Sequence, residues 1–335
     1  MRSIDQSIRR AGWFLRRREL LALGYADHSI RHALEMKRIF RVRHGWYSVP
    51  DAPESAIMAV RVGGRLTSVS ALLSYGLRVP RGDMLHVAVP ATAARLRSPH
   101  DKHTRLHFGA MVRVHWADTR DGGERWRVSV DDALLAVLLE RSRDVAVACL
   151  SAALHHRLTT VRQLDAIFAR APARVQRWRC LVSTLDESHG ETFVRLWLLD
   201  AGIHFEQQST VRGAGRFDFR VGPSTYVEVD GAQHDPDWTG EGPSSWAGDL
   251  DRALTVVGGN GTVIHVGYQL LHQQWGRVCA AIRVAIADDL VLAAYRRRQS
   301  ARASAAGSSG SLPVASAAPS AARRKRRKSR AKPPW

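Results

Sequence analysis

Asp218, Glu228 and Asp230 are the residues of this chain whose type and spacing best suit chemistry on a phosphate ester. They lie in two alternating segments, Arg216-Phe217-Asp218-Phe219-Arg220-Val221 and Tyr226-Val227-Glu228-Val229-Asp230-Gly231. Side chains two apart on a strand share a face. The pattern therefore sets Phe217, Phe219, Val227 and Val229 on one side and every carboxylate on the other. Gly222-Pro223-Ser224-Thr225 between them consists of turn formers, so the two segments read as a β-hairpin with Asp218 across from Glu228. Cross-strand Cβ atoms stand about 5 Å apart, and like charges at that range repel, the more so when buried. A divalent cation between them removes the conflict, and an all-oxygen ligand set on a rigid sheet suits Mg2+ or Mn2+. The competing explanation is a solvated sheet face without a ligand.

Residues around the hairpin extend this constellation, each with a plainer alternative. Glu191 follows Ser188 by three residues, which serves a helix capping box as well as a metal site. Gln208 also suits an ordinary edge strand. His234, just beyond Gly231, is the nearest general acid or base, or a turn residue with no proton to move. Arg252 can supply positive charge to a transition state, oriented by Asp249 at i, i+3 spacing, or form a surface ion pair worth little. Trp238, Trp246 and Trp275 could stack on bases, but core packing is the better explanation of them. Gly258-Gly259-Asn260-Gly261 precedes a strand rather than a helix, which argues against a phosphate-cradling loop.

The elements that must carry these residues point to an α/β multidomain protein. The chain has 335 residues, more than one core usually organises, and 45% are hydrophobic. Formal net charge is +19, and residues 296–335 hold twelve Lys or Arg and no acid, so +7 (19 − 12) remains on 1–295. Such a field favours polyanions, nucleic acid first and anionic membrane second. The three cysteines are far apart and no CxxC or Cys/His ligand spacing appears, which argues against structural zinc and for a reducing compartment. Apolar runs fall short of the ~20 residues a membrane span needs, and no signal-peptide pattern is present. The expectation is a cytoplasmic chain without a membrane partner.

Four regions follow. Residues 1–50 give three short helices (Ile4 to Ala11, Leu15 to Leu23, and one ending near Met36), then strands Ile39 to Val42 and Trp46 to Ser48. That is the order of a winged helix, with Arg31, His32, Lys37, Arg41 and Arg43, and beside them His44, set to reach DNA. A basic helical bundle with solvated charges is the alternative. Residues 55–180 form a mixed α/β middle region with no evident catalytic group: a helix at Leu66 to Leu77, strands at Leu85 to Val89, Val112 to His115 and Trp126 to Val128, then amphipathic helices. Residues 184–295 give helix Ser188 to Ala201, strand Phe205 to Val211, the hairpin, helix Trp246 to Val257, strand Thr262 to Val266 and helix Leu271 to Ala293. This is an α/β domain with a central sheet. Residues 296–335, rich in Ser, Ala, Gly, Pro and Arg, read as a disordered basic tail.

Two resemblances add to this reading. Gly12-Trp13-Phe14, Arg18-Glu19-Leu20-Leu21-Ala22-Leu23-Gly24, Ser29-Ile30-Arg31 and Arg41-Val42-Arg43-His44-Gly45-Trp46-Tyr47 resemble the winged-helix domain of AbiEi-type antitoxins, over about 50 residues; the middle region resembles the part that follows it there. That likeness implies promoter DNA binding. Ser188-x-x-Glu191, Phe205-x-x-Gln208, Phe217-Asp218-Phe219, Val227-Glu228-Val229-Asp230-Gly231-Ala232-Gln233-His234, Asp249-x-x-Arg252 and Gly261-Thr262-Val263-Ile264 are similar to the very-short-patch-repair-like endonucleases of the PD-(D/E)XK superfamily, over about 80 residues. That likeness implies a Mg2+-dependent hydrolase with Asp218, Glu228 and Asp230 as metal ligands and Glu191, His234 and Arg252 as further catalytic residues. Asp230 stands where the superfamily pattern usually has Lys. The expected function is a metal-dependent endonuclease or nickase on duplex DNA. The alternative is a noncatalytic antitoxin-like repressor with a degenerate nuclease fold, and an RNA-directed nuclease is a third possibility.

Overall fold

A computed structural model of the chain describes residues 3–78, 84–107, 109, 111–117, 122–230 and 246–306, with the side chains of 246–250 and 302–306 left aside. The chain divides into two compact units at His189/Gly190. The stretches expected as 1–50 and 55–180 lie together in the first.

Unit 1 begins α1 (Ile4–Arg10), β1 (Phe14–Arg16), α2 (Arg17–Ala22), α3 (Asp27–Glu35), β2 (Phe40–Arg43) and β3 (Trp46–Ser48), with the strands in the order β1-β3-β2. Ile8, Phe14, Leu20, Ile30, Val42 and Tyr47 are buried together with the small Ala33, so each short element turns one apolar stripe inward. Gly24, at φ +86°, ends α2 in the left-handed region that glycine adopts without strain. The expected second helix is shorter than Leu15 to Leu23: its first residues form β1, whose Phe14 and Leu15 gain more from pairing with Ser48 and Tyr47 than from a helical turn.

The chain continues through α4 (Glu54–Val62), β4 (Arg65–Leu66), α5 (Ser68–Ser74), β5 (Leu85–Val89) and β6 (Val112–Trp116), giving a sheet β4-β5-β6 whose β5/β6 pair is parallel. Trp126 to Val128 is not a strand of it; Arg127 makes only an isolated bridge to Leu66. Gly64 packs against β5 so closely that a Cβ there would sit 2.0 Å from the Ala88 carbonyl oxygen. The helices α6 (Val130–Glu140), α7 (Arg143–His155), α8 (Val161–Ala169) and α9 (Ala173–Gln176) follow, then a 3₁₀ turn at Arg177–Leu181. Every residue of α7 from Val145 to Ala153 is buried. Contacts across the 1–50 and 55–180 stretches explain why they cohere: Arg125 Nη1 donates to Glu19 Oε1 at 2.6 Å, and the Arg43 guanidinium lies over Gly63.

Unit 2 comprises α10 (His189–Asp200), β7 (Glu206–Val211), β8 (Gly215–Arg220), β9 (Thr225–Val229), α11 (Trp246–Gly258), β10 (Thr262–Val266), α12 (Tyr268–Gln273) and α13 (Trp275–Ala306). The sheet order is β10-β9-β8-β7, antiparallel except for the β9/β10 pair. The expected last helix, Leu271 to Ala293, is two helices broken at Gln274, and the second runs on to Ala306. The first part of the expected disordered tail is therefore helical, in keeping with its Ala and Arg content; residues 307–335 lie outside the described residues. Trp275 is buried and meets Trp197 edge to face, centroids 5.9 Å apart, so it is a core residue. Among the described residues no helix is long and apolar enough to cross a membrane.

Asp289 of α13 fastens the hairpin turn. It accepts from the Ser224 amide at 2.7 Å, the Ser224 hydroxyl at 2.6 Å and the Thr225 hydroxyl at 2.8 Å. Cys149 and Cys279 are buried and Cys180 is exposed, all as free thiols.

Candidate functional site: a polar row across the sheet of unit 2

The registers align one residue from each strand of unit 2. Gln208 falls opposite Asp218, between the paired positions Gln207↔Phe219 and Ser209↔Phe217, and Glu228 pairs with His265. Between β8 and β9 the ladder holds Arg220↔Tyr226 and Phe219↔Val227, then stops one residue short of Asp218 and Glu228. Two like-charged residues opposite one another disfavour closing that row. Instead the Asp218 carboxylate reaches along the opening and accepts the Val229 amide at 2.8 Å. Gln208 is itself in the left-handed region, at φ +54°.

The expected one-sided apolar face is not what forms. Phe219 pairs with Val227 and its ring lies 5.8 Å from that of Phe205. Phe217 instead packs with Ala214 and Val256 in a cluster that Tyr226 and Val263 join, its ring 5.2 Å from that of Tyr226. Tyr226 and Val227, adjacent on β9, point to opposite faces, so Phe217 and Phe219 do too. Both are buried because apolar side chains cover both faces here. The switch in alternation falls at Asp218, where the β7 and β9 ladders are both interrupted.

Glu228 shares the face of Tyr226, beneath α11. Arg252 of α11 donates from Nη2 to Glu228 Oε1 at 2.7 Å and also bonds the Arg216 carbonyl at 3.3 Å. Oε2 of Glu228 is buried and has no hydrogen-bond partner, an arrangement that costs about 1–3 kcal/mol or more for a charged group unless something else satisfies it. Asp230, held by its amide to the Val266 carbonyl, has Oδ2 3.6 Å from His265 Nδ1. Glu191 is buried on α10 and its Oε2 stands 3.4 Å from Gln208 Nε2, which ties it to the row. The site thus draws on α10, all four strands and α11. As arranged, Asp218, Glu228 and Asp230 each engage a protein group. Among the described residues, the group of three donor atoms lying within 4.8 Å of one another is a different one, His86, His115 and Glu140. His234 and the side chain of Asp249 lie outside the described residues.

Sequence reasoning missed His265, whose position becomes meaningful only once β10 is known to run parallel to β9. It also missed the histidine pair of unit 1, which no common spacing announces. There the Glu140 carboxyl, which burial alone would raise, is held below its ordinary range by His86, the Ser68 hydroxyl and the charge of His115. The His115 imidazole is pushed down, chiefly by burial and against the pull of Glu140.

Of the residues expected to meet DNA, Arg31, His32, Lys37 and Arg41 are exposed on α3, just after it and on β2. Arg41 also reaches toward Tyr47, its guanidinium 5.7 Å from the ring centre. Arg43 is only partly exposed: a Cβ on Gly63 would come within 2.1 Å of its Nη1, and burial followed by the nearby Arg97 lowers its pKa. No protein-family model matches this chain, and no curated protein matches it in sequence.

Proposed function

We propose that the chain is a DNA-directed, metal-dependent phosphodiesterase, an endonuclease or nickase, with its chemistry in unit 2 and its duplex-binding surface at the start of unit 1. The observation that carries this reading is the opened β8/β9 row. There Asp218 and Glu228 come from adjacent strands, and Glu228 keeps a buried oxygen with no hydrogen bond. An orphaned carboxylate oxygen with a second carboxylate on the adjacent strand fits a hard divalent cation such as Mg2+ or Mn2+, with Asp218 and Glu228 as its ligands and Asp230 next in line. Such an ion supplies charge stabilisation to the phosphate and a more acidic water. The chain's own residues do the rest. Arg252 holds Glu228 and places a guanidinium where a scissile phosphate needs positive charge, the role a Lys at position 230 would otherwise fill. His265 sits beside Asp230 and accepts the proton of an attacking water. Glu191 orients Gln208 under the row.

The order of α1, β1, α2, α3, β2 and β3, with strands arranged β1-β3-β2, supports a winged helix. In it α3 offers Arg31 and His32 to the major groove, while Lys37 and Arg41 contact phosphates. A second reading, a DNA-binding regulator with a degenerate nuclease fold, draws on one specific observation: Arg252 and the Val229 amide already satisfy Glu228 Oε1 and Asp218. Supercoiled plasmid incubated with the purified chain and Mg2+ or Mn2+ separates the two. Nicking that disappears in Asp218→Ala and Glu228→Ala supports the enzyme. Promoter-fragment shifts without any nicking, the same in wild type and variants, support the regulator.

A further inference from the structure

His86, His115 and Glu140 converge in unit 1, on elements for which no chemistry has so far been assigned. His86 lies on β5 and His115 on β6. The parallel register pairs His115 with Ala88, and Ala88 is two residues from His86, so both imidazoles leave the same face of the sheet. Glu140, the last residue of α6, comes down onto that face. His86 Nδ1 is 3.1 Å from His115 Nε2 and 3.2 Å from Glu140 Oε1, and His115 Nδ1 is 3.3 Å from Glu140 Oε2. Ligand bonds of about 2.0–2.1 Å in tetrahedral geometry put neighbouring donors about 3.3 Å apart. With one donor atom taken from each residue, the three lie within 4.8 Å of one another, so side-chain rotation alone is needed to reach that spacing.

Its burial argues against a simple ion-pair cluster. His86 is 2% exposed and the Glu140 side chain 11%, yet neither buried oxygen of Glu140 has a hydrogen bond of good geometry, although His86 and the Ser68 hydroxyl stand beside the carboxylate. A carboxylate at a helix C-terminus also faces the negative end of the macrodipole. Arg113 compensates weakly, its Nε 3.7 Å from Oε2 on a side chain that is 58% exposed. The imidazoles are stacked at 5.3 Å between centroids with 21° between planes. Protonating both would set two cations face to face. The main chain holds the site independently of any ligand: the His86 amide donates to Ser70 Oγ at 3.0 Å and its carbonyl accepts from Thr67.

We propose that His86, His115 and Glu140 form a binding site for a divalent transition metal, Zn2+ in class. The imidazoles would be neutral nitrogen donors, the carboxylate the third donor, and a fourth position would be left to water or a small exogenous ligand. Two nitrogens and one oxygen suit a first-row transition metal and not Mg2+, so this site is chemically separate from the acidic row of unit 2 and does not depend on it. Three protein ligands are the number found where a zinc ion keeps an open position. Bound metal clamps the end of α6 to β5 and β6.

The test uses the full chain, stripped with a chelator, dialysed and titrated with ZnCl2 or CoCl2 alone. One Zn2+ per chain is expected, with a melting rise of about 5–10 °C at a free concentration a hundredfold above Kd, together with visible d–d absorption from Co2+. His115→Ala, the least buried of the two histidines, and Glu140→Gln, which keeps the volume, are expected to lose the Co2+ band and at least tenfold in affinity. His86→Ala extends the set where circular dichroism shows it folded. Asp218→Ala is expected to bind Zn2+ like wild type, which keeps this outcome distinct from that of the plasmid assay. No bound Zn2+, or equal Co2+ spectra and melting shifts in wild type, His115→Ala and Glu140→Gln, overturns the proposal.

Discussion

Replacing Asp289 by alanine unseats the turn that joins β8 to β9. Its carboxylate accepts three hydrogen bonds, from the Ser224 amide and hydroxyl and from the Thr225 hydroxyl, and Thr225 is fully buried. Hydrogen bonds to a charged group contribute about 1.5–3 kcal/mol each, and a buried hydroxyl left unpaired costs about 1–3 kcal/mol. The three share one acceptor group and do not add, so the expected loss is roughly 3 kcal/mol, or about 10–20 °C in the melting of a unit this size. Calorimetry of the full chain reads it directly, with the plasmid assay in parallel, because this turn sets Asp218 opposite Glu228. The pH dependence adds a second check. Burial alone raises the Asp289 carboxyl, but its bonds from Ser224 and Thr225 prevail and hold it below the ordinary 3.8. Its contribution is therefore full above the unfolded pKa and is lost as pH falls through the lower folded value, so the gap between wild type and Asp289→Ala narrows below about pH 4. A melting difference under 2 °C at pH 7, or a gap that persists unchanged to pH 3, refutes the reasoning.

Arg252→Gln and Glu228→Gln, singly and together, should give a double-mutant coupling of about 1–3 kcal/mol in urea unfolding. Additivity within about 0.5 kcal/mol would show that their contact at 2.7 Å is idle. Gly64→Ala forces a Cβ to within 2.0 Å of the Ala88 carbonyl and 2.7 Å of Val87, so a loss of about 3 kcal/mol or more is expected in thermal unfolding of unit 1, whereas a wild-type melt counts against the close approach. Arg31→Ala and Lys37→Ala should each weaken duplex binding, with Lys37→Ala lowering the salt slope by about 1. Arg43→Ala should change it less, because its guanidinium lies on Gly63; equal losses at all three positions in a salt titration would refute that ordering.

Much of unit 2 could be read in advance because its strands are bounded by turn residues and its helices carry clear periodicity. β10 spans the expected residues, and the hairpin places Asp218 and Glu228 on one row, as the Gly222-to-Thr225 turn requires. What alternation cannot reveal is that both faces of this sheet are covered. With apolar residues on each side, Phe217 and Phe219 are interchangeable in pattern, and only packing against Tyr226 or Phe205 separates them. β1 is too short to carry a periodic signal and exists because β3 is beside it. The break at Gln274 and the extension of α13 to Ala306 reflect competition between local propensity and docking, which one sequence does not rank. His86, His115 and Glu140 come from two strands and a helix end, so tertiary structure alone assembles them.

The three cysteines differ sharply in what reagents can reach. Burial pushes the Cys149 thiol up to about 12 and that of Cys279 to about 11, so neither supplies much thiolate at neutral pH. Cys180 is exposed on the 3₁₀ turn just ahead of the boundary between units. A maleimide dye or spin label added to the unmodified chain should therefore attach at this one thiol, giving a single spectroscopic reporter on the last turn of unit 1 without any engineered residue.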